Sequence, residues 1–181
     1  MKKVIVFIVI VVALFFYFNQ TEVVNSPMED GLYLKYKVTV KDNGNKMDQI
    51  QIMKFKKRKN GNFEYIPEEI IKINNEKKEK KDRSGYYVKK NFTHAKGSNE
   101  GVKISGQVGG IIWINPEKLK NKEVEAKEFE ILGETKKYGY NVYKLRYIDK
   151  IVYYEKKTGL LILCIDNEYQ NRLIESNVNG L

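Results

Sequence analysis

The chain has 181 residues, 42% hydrophobic and 31% charged, which fits one folded domain with its own core and excludes a disordered chain. A single cysteine, Cys164, excludes an internal disulfide, and a single histidine, His94, excludes a metal centre built on several histidines. The formal charge is +10, yet arginine stands only at Arg58, Arg83, Arg146 and Arg172. The planar fork that grips phosphate at two points is therefore scarce, and the lysine excess reads first as compositional bias, with weak salt-dependent attraction to anionic polymers or headgroups.

Lys2 and Lys3 precede an uncharged apolar run from Val4 to Phe18. This is the order of a secretory signal, but bulky Phe16, Tyr17 and Phe18 follow where a small-x-small cleavage site belongs. Val24 and Ser26 supply one such pair, with Pro27 in the poor position after the cut. Helix over this run rises roughly 22 Å against a hydrocarbon core of ~30 Å, and the lysines can snorkel while Tyr17 sits at the interface. The expectation is a retained transmembrane helix at residues 1–18, N-terminus cytoplasmic, then a tether at 19–30 and an extracytoplasmic β domain at 31–181. Cleavage and secretion is the alternative.

From Gly31 the period is two. Leu32, Leu34, Tyr36, Val38 and Val40 share one side of a strand, with Tyr33, Lys35, Lys37, Thr39 and Lys41 on the other. Asn43-Gly44 suits a hairpin turn, a second strand runs from about Lys46 to Lys57, and Asn60-Gly61 marks another tip. "FEYI" leads into Pro67, and "EIIKIN" makes a further strand. Asn74 to Gly85 is charged with mixed sign and reads as a solvated hairpin tip. "YYVKKNFTHA", "VKISG" and "GGIIWIN" continue the strand pattern. Asn115 looks like an N-cap, with Pro116 opening a short helix. Strands return from Lys122 onward, with Lys156 to Gly159 as a hairpin turn. The predicted fold is mainly β: one curved, mostly antiparallel sheet, a half-open barrel, with one or two short helices.

The stretch "FEILGETKKYGYNVYKLRYIDKIVYYEKKTGLLILCI" with "RLIESNV", Phe129 to Val178, resembles uncharacterised envelope β-sheet proteins similar to the periplasmic lipoprotein-carrier superfamily. The resemblance implies a curved antiparallel sheet with a concave apolar face. No functional residue carries over with it, because the matched positions are hairpin positions. Nor does lipidation, because no cysteine follows the apolar segment.

Catalytic chemistry finds little to build on. His94 reads as a strand residue, and Cys164 in "LILCID" as a small buried hydrophobe. None of the serines lies in a nucleophile elbow. Glu68-Glu69 point to opposite faces of a strand, and Glu123 with Glu125 lie on a wet side. Gly106, Gly109 and Gly110 lack phosphate-loop spacing. No metal or cofactor is expected.

Trp113, Tyr143 and Tyr153 are candidates to line an apolar ligand, with core packing as the competing role. Lys54, Lys56, Lys57, Arg58 and Lys59 form the densest basic patch and are candidates for contact with an anionic surface. With Phe55 as its only aromatic, and lying outside the membrane, this patch is not read as a nucleic-acid surface. The expected protein is a non-enzymatic, membrane-anchored binding or envelope-assembly protein whose partner is a lipid or another envelope protein. The alternatives are a secreted protein–protein interaction module and an extracytoplasmic enzyme with a carboxylate site. If the sheet's inner face is filled by its own side chains, with no cavity, the ligand version fails and a partner-binding module using an exposed sheet edge remains.

Overall fold

The computed structural model describes residues 26–42, 45–73, 76–81, 86–90, 92, 112–124, 129–179 and 181. The apolar segment, Asn43-Gly44, His94 and the glycines at 106, 109 and 110 lie outside these residues. No helix among the described residues is long and apolar enough to cross a membrane.

The strands are β1 (Tyr33–Asp42), β2 (Asn45–Lys57), β3 (Phe63–Ile73), β4 (Glu76–Lys81), β5 (Tyr86–Val88), β6 (Phe129–Lys137), β7 (Tyr140–Tyr147), β8 (Lys150–Glu155), β9 (Leu161–Ile165) and β10 (Tyr169–Ser176). Among the described residues one helix, α1 (Pro116–Asn121), stands between β5 and β6. The strands form one sheet in the order β4-β3-β2-β1-β10-β9-β8-β7-β6, and every pairing is antiparallel. β5 pairs with β3 beside β4. β4 and β6 end the sheet without pairing to each other, so it does not close.

Register explains the core. Ile131, Leu145, Val152, Cys164, Asn171, Val38 and Gln49 are successive partners across seven strands, and directly opposed residues share a face. We call this the inner face. Leu32, Leu34, Tyr36 and Val38 are buried, as the alternation predicts. Leu32, Leu34 and Tyr36 pack with Phe55, Phe63, Tyr65, Val88, Phe92 and Trp113, while Leu119 of α1 packs with Tyr143, Leu145 and Tyr154. Each fully buried Leu here contributes roughly 1.5–3 kcal/mol over leaving it exposed. The Tyr36 hydroxyl is satisfied by donating to the Leu161 carbonyl at 3.0 Å.

Four expectations are corrected. Glu76–Lys81 is strand β4, not part of a hairpin tip. A polar edge strand needs only a backbone ladder on one side, and alternating charges suit an edge that must not recruit another strand. Pro67 does not divide two strands but lies inside β3. β5 pairs with residues 63–65 and β4 with 68–73, so Pro67 falls in the gap where no described partner stands opposite on that edge. Trp113 makes only an isolated bridge to Leu160 rather than entering a strand. Lys122 to Val124 is not strand, Lys122 turning left-handed (φ 60) to cap α1, and the described part of β6 begins at Phe129, with residues 125–128 outside the described residues. The N-cap itself is as predicted, with the Asn115 side chain accepting from the Glu117 N–H at 2.9 Å.

The chain is fixed to the domain within the stretch read as tether. Met28 is buried among the core residues, and Asp30 accepts from the Lys57 N–H at 2.8 Å.

Candidate functional site

The second face of the sheet is built from the residues that alternate with the core. Lys144, Tyr153, Leu163, Arg172, Lys37, Ile50 and Ile70 are successive partners from β7 to β3. Tyr153, Ile50 and Ile70 are half-buried, and Leu163 is fully buried.

The β6–β7 hairpin bends over this face. A bulge between Ile131 and Gly133 adds a residue, and Gly133 takes a φ of 138° that a side chain would resist. The tip residue Tyr138 thereby meets β10: the Arg172 guanidinium lies 4.8 Å from its ring centroid, and Gln170 Nε2 is 3.5 Å from its hydroxyl. Lys137 Nζ lies 5.4 Å from the Tyr138 ring and 5.5 Å from the Tyr153 ring. Tyr138 remains 49% exposed. The Tyr138 tip is thus held against Arg172 and Gln170, over the face that carries buried Leu163 and half-buried Tyr153, with Lys137 near both rings.

The three predicted rings do not converge. Tyr143 pairs with Tyr154 while its neighbour Lys144 pairs with Tyr153, so Tyr143 and Tyr153 lie on opposite faces. Tyr143 is buried under Lys156, whose Nζ is 5.1 Å from its ring and forms an ion pair with Glu134. Beside it, against α1, opens a cleft of about 440 Å³ lined by Pro116, Glu117, Lys120, Glu134, Tyr143 and Lys156. Trp113 is buried; its indole N–H donates to the Thr158 carbonyl at 2.8 Å and its ring stacks on Phe92.

In the basic patch, Lys54 pairs with Glu68 at 3.0 Å, and Arg58 pairs with Glu64 at 2.8 Å while lying over the Tyr87 ring. Lys56, Lys57 and Lys59 are exposed around the β2–β3 turn.

Among the described residues no three His, Cys, Asp or Glu side chains gather as metal ligands. Buried Glu155 is engaged by its own turn, accepting from the N–H groups of Lys157 and Thr158 and from the Thr158 hydroxyl. Burial pushes the Cys164 thiol up to about 12, the opposite of a nucleophile's requirement. Burial alone would raise the Asp166 carboxyl, but hydrogen bonds from Lys150 and from the Glu168 and Tyr169 N–H groups hold it below its ordinary value. Sequence reasoning missed Tyr138, which "KYGY" places in a turn but gives no sign of its folding back.

No family model matches the chain, and no curated protein matches it. Among solved structures it is similar to LprF from Mycobacterium bovis, at 10% identity and TM-score 0.36, over 83% of this chain and 87% of that one. It is also similar to a domain from Vibrio parahaemolyticus described as an outer membrane lipoprotein-sorting protein, at 9% identity and TM-score 0.27, over 90% and 92%. Likeness at this level carries no argument about ligand or activity.

Proposed function

We propose that the chain is an extracytoplasmic binding protein of the cell envelope, held by residues 4–18, that takes an apolar ligand such as a lipid acyl chain on the second face of its sheet. The observation that carries this reading is the aromatic and cationic patch where the half-exposed Tyr138 folds over near Tyr153, with Lys137 and Arg172 against the rings. Among the described residues the inner-face side chains pack on one another, which counts against a ligand in the concave face the sequence suggested. Binding rather than catalysis fits the acids, several of which are held in ion pairs or turns.

The test is photolabelling of the membrane-extracted full-length protein with a diazirine-bearing fatty acid, followed by peptide mapping. Label should concentrate on peptides carrying Tyr138, Tyr153 and Arg172, and the double variant Tyr138→Ala, Tyr153→Ala should lose most of it. Label spread evenly over the domain would sink the reading. Carbonate extraction with mass determination of the mature chain tests the anchor separately.

A second reading, a protein-interaction module, is favoured by β6, which ends the sheet with Leu132 37% exposed. A partner adding a strand there would protect the Ile131–Lys136 amides from exchange.

A further inference from the structure

The point where the chain joins the domain lies beside its densest cations. The Ser26 hydroxyl donates to the Lys90 carbonyl. Asp30 accepts from the Lys57 N–H, and Gly31 N–H donates to the Phe55 carbonyl at 2.9 Å. β5 ends with Val88 opposite Phe63, the first residue of β3, so Lys89 and Lys90 flank the β2–β3 turn. Lys56, Lys57, Arg58, Lys59, Lys89 and Lys90 are all exposed at this one end of the sheet. The acids nearby are Glu29, Asp30 and Glu64, and Glu64 is already paired with Arg58.

Residues 19–25 alone separate the apolar segment from Ser26. Fully extended, they span at most about 25 Å. With residues 4–18 as anchor, the cationic end is the end nearest the membrane, and Lys41 lies at the opposite end of β1.

We propose that this end of the sheet docks on the anionic phospholipid headgroups of the leaflet from which the chain emerges, fixing the domain's orientation as well as its distance. The inference rests on the anchor reading above. Short tethering raises the local concentration of headgroups, and the lysines supply an attraction screened over ~8 Å at physiological salt.

The experiment uses the full-length protein reconstituted into phosphatidylcholine vesicles with and without phosphatidylglycerol, with a membrane-impermeant acylating reagent applied to lysines. In anionic vesicles Lys56, Lys57, Lys59, Lys89 and Lys90 should acylate about fivefold more slowly than in neutral ones. Lys41 should not change, and high salt should erase the difference. The combined variant Lys56→Glu, Lys57→Glu, Lys59→Glu should lose the protection at Lys89 and Lys90 while keeping its fold. Equal labelling in both vesicles, with the protein retained through carbonate extraction, overturns the docking and leaves the anchor standing. Release by carbonate overturns the anchor, and the docking with it. Equal protection by soluble polyphosphate in neutral vesicles overturns the membrane as the partner.

Discussion

Gly159 and Ile114 meet so closely that a Cβ on Gly159 would stand 1.9 Å from the Ile114 carbonyl oxygen. The Ile114 N–H donates to the Gly159 carbonyl at 3.0 Å, and Gly159 has a φ of 70°. This contact presses the segment bearing Trp113 against the β8–β9 turn. Gly159→Ala combines a left-handed penalty with a collision against backbone, so it should cost about 2–4 kcal/mol. Thermal unfolding should show it as a melting temperature lower by roughly 2–4 °C per kcal/mol. A melting temperature within a degree of the parent would mean that the two segments do not pack this way.

The same turn depends on Glu155. One of its carboxylate oxygens accepts from the Thr158 N–H at 2.6 Å, the Thr158 hydroxyl at 2.9 Å and the Lys157 N–H at 2.9 Å. Removing a buried acceptor leaves these donors to find other partners. Glu155→Ala should therefore destabilise by about 2–4 kcal/mol and Thr158→Val by about 1 kcal/mol. Urea titration distinguishes them, and equal costs would mean that the backbone donors contribute nothing.

Asp166 sets a pH dependence. Its carboxyl is held below the ordinary value, so its contribution is present above the unfolded value of about 4 and is lost as pH falls through the folded one. Lys150 opposite is raised, chiefly by its hydrogen bond to Asp166, so its contribution is complete below its ordinary 10.5 and fades only as pH rises beyond that value. Stability of the parent should fall below pH 4. Asp166→Asn should be less stable at neutral pH and show a shallower acid decline. An unchanged acid slope would remove Asp166 from the account, leaving Asp48, also lowered, as the next group to vary.

Cys164 should resist thiol reagents. It is buried, and its thiol is pushed up to about 12 by that burial. In native buffer at pH 8 its reaction should be limited by opening of the sheet, accelerating steeply with urea. Labelling at the rate of a small-molecule thiol would contradict its position between Val152 and Asn171.

Alternation and turn chemistry made much of the sheet legible before any coordinates. β1, β8 and β10 carry clear period-two or apolar signals, and Asn60-Gly61 and Lys156 to Gly159 are turns as read. β4 was hidden because an edge strand needs no apolar face, and local composition cannot distinguish it from a charged tip. β3 was divided because Pro67 is a breaker everywhere except at a gap in pairing. The patch around Tyr138 was illegible for another reason. It joins Tyr138 to Arg172 through a bend at Gly133, and long-range contact of this kind leaves no local periodicity. The cluster at Lys89 and Lys90 was likewise split from Lys56 to Lys59 in sequence and joined only by the β3–β5 pairing.

The first strand and the last are neighbours in the middle of the sheet, with β1 paired to β10 from Leu34–Ser176 to Val40–Tyr169. Until β10 is available, β1–β5 and β6–β9 are two separate blocks of hairpins. Their shared row of residues on the inner face has no middle. During synthesis, which runs from the N-terminus, β1 therefore keeps an open edge until β10 has been made.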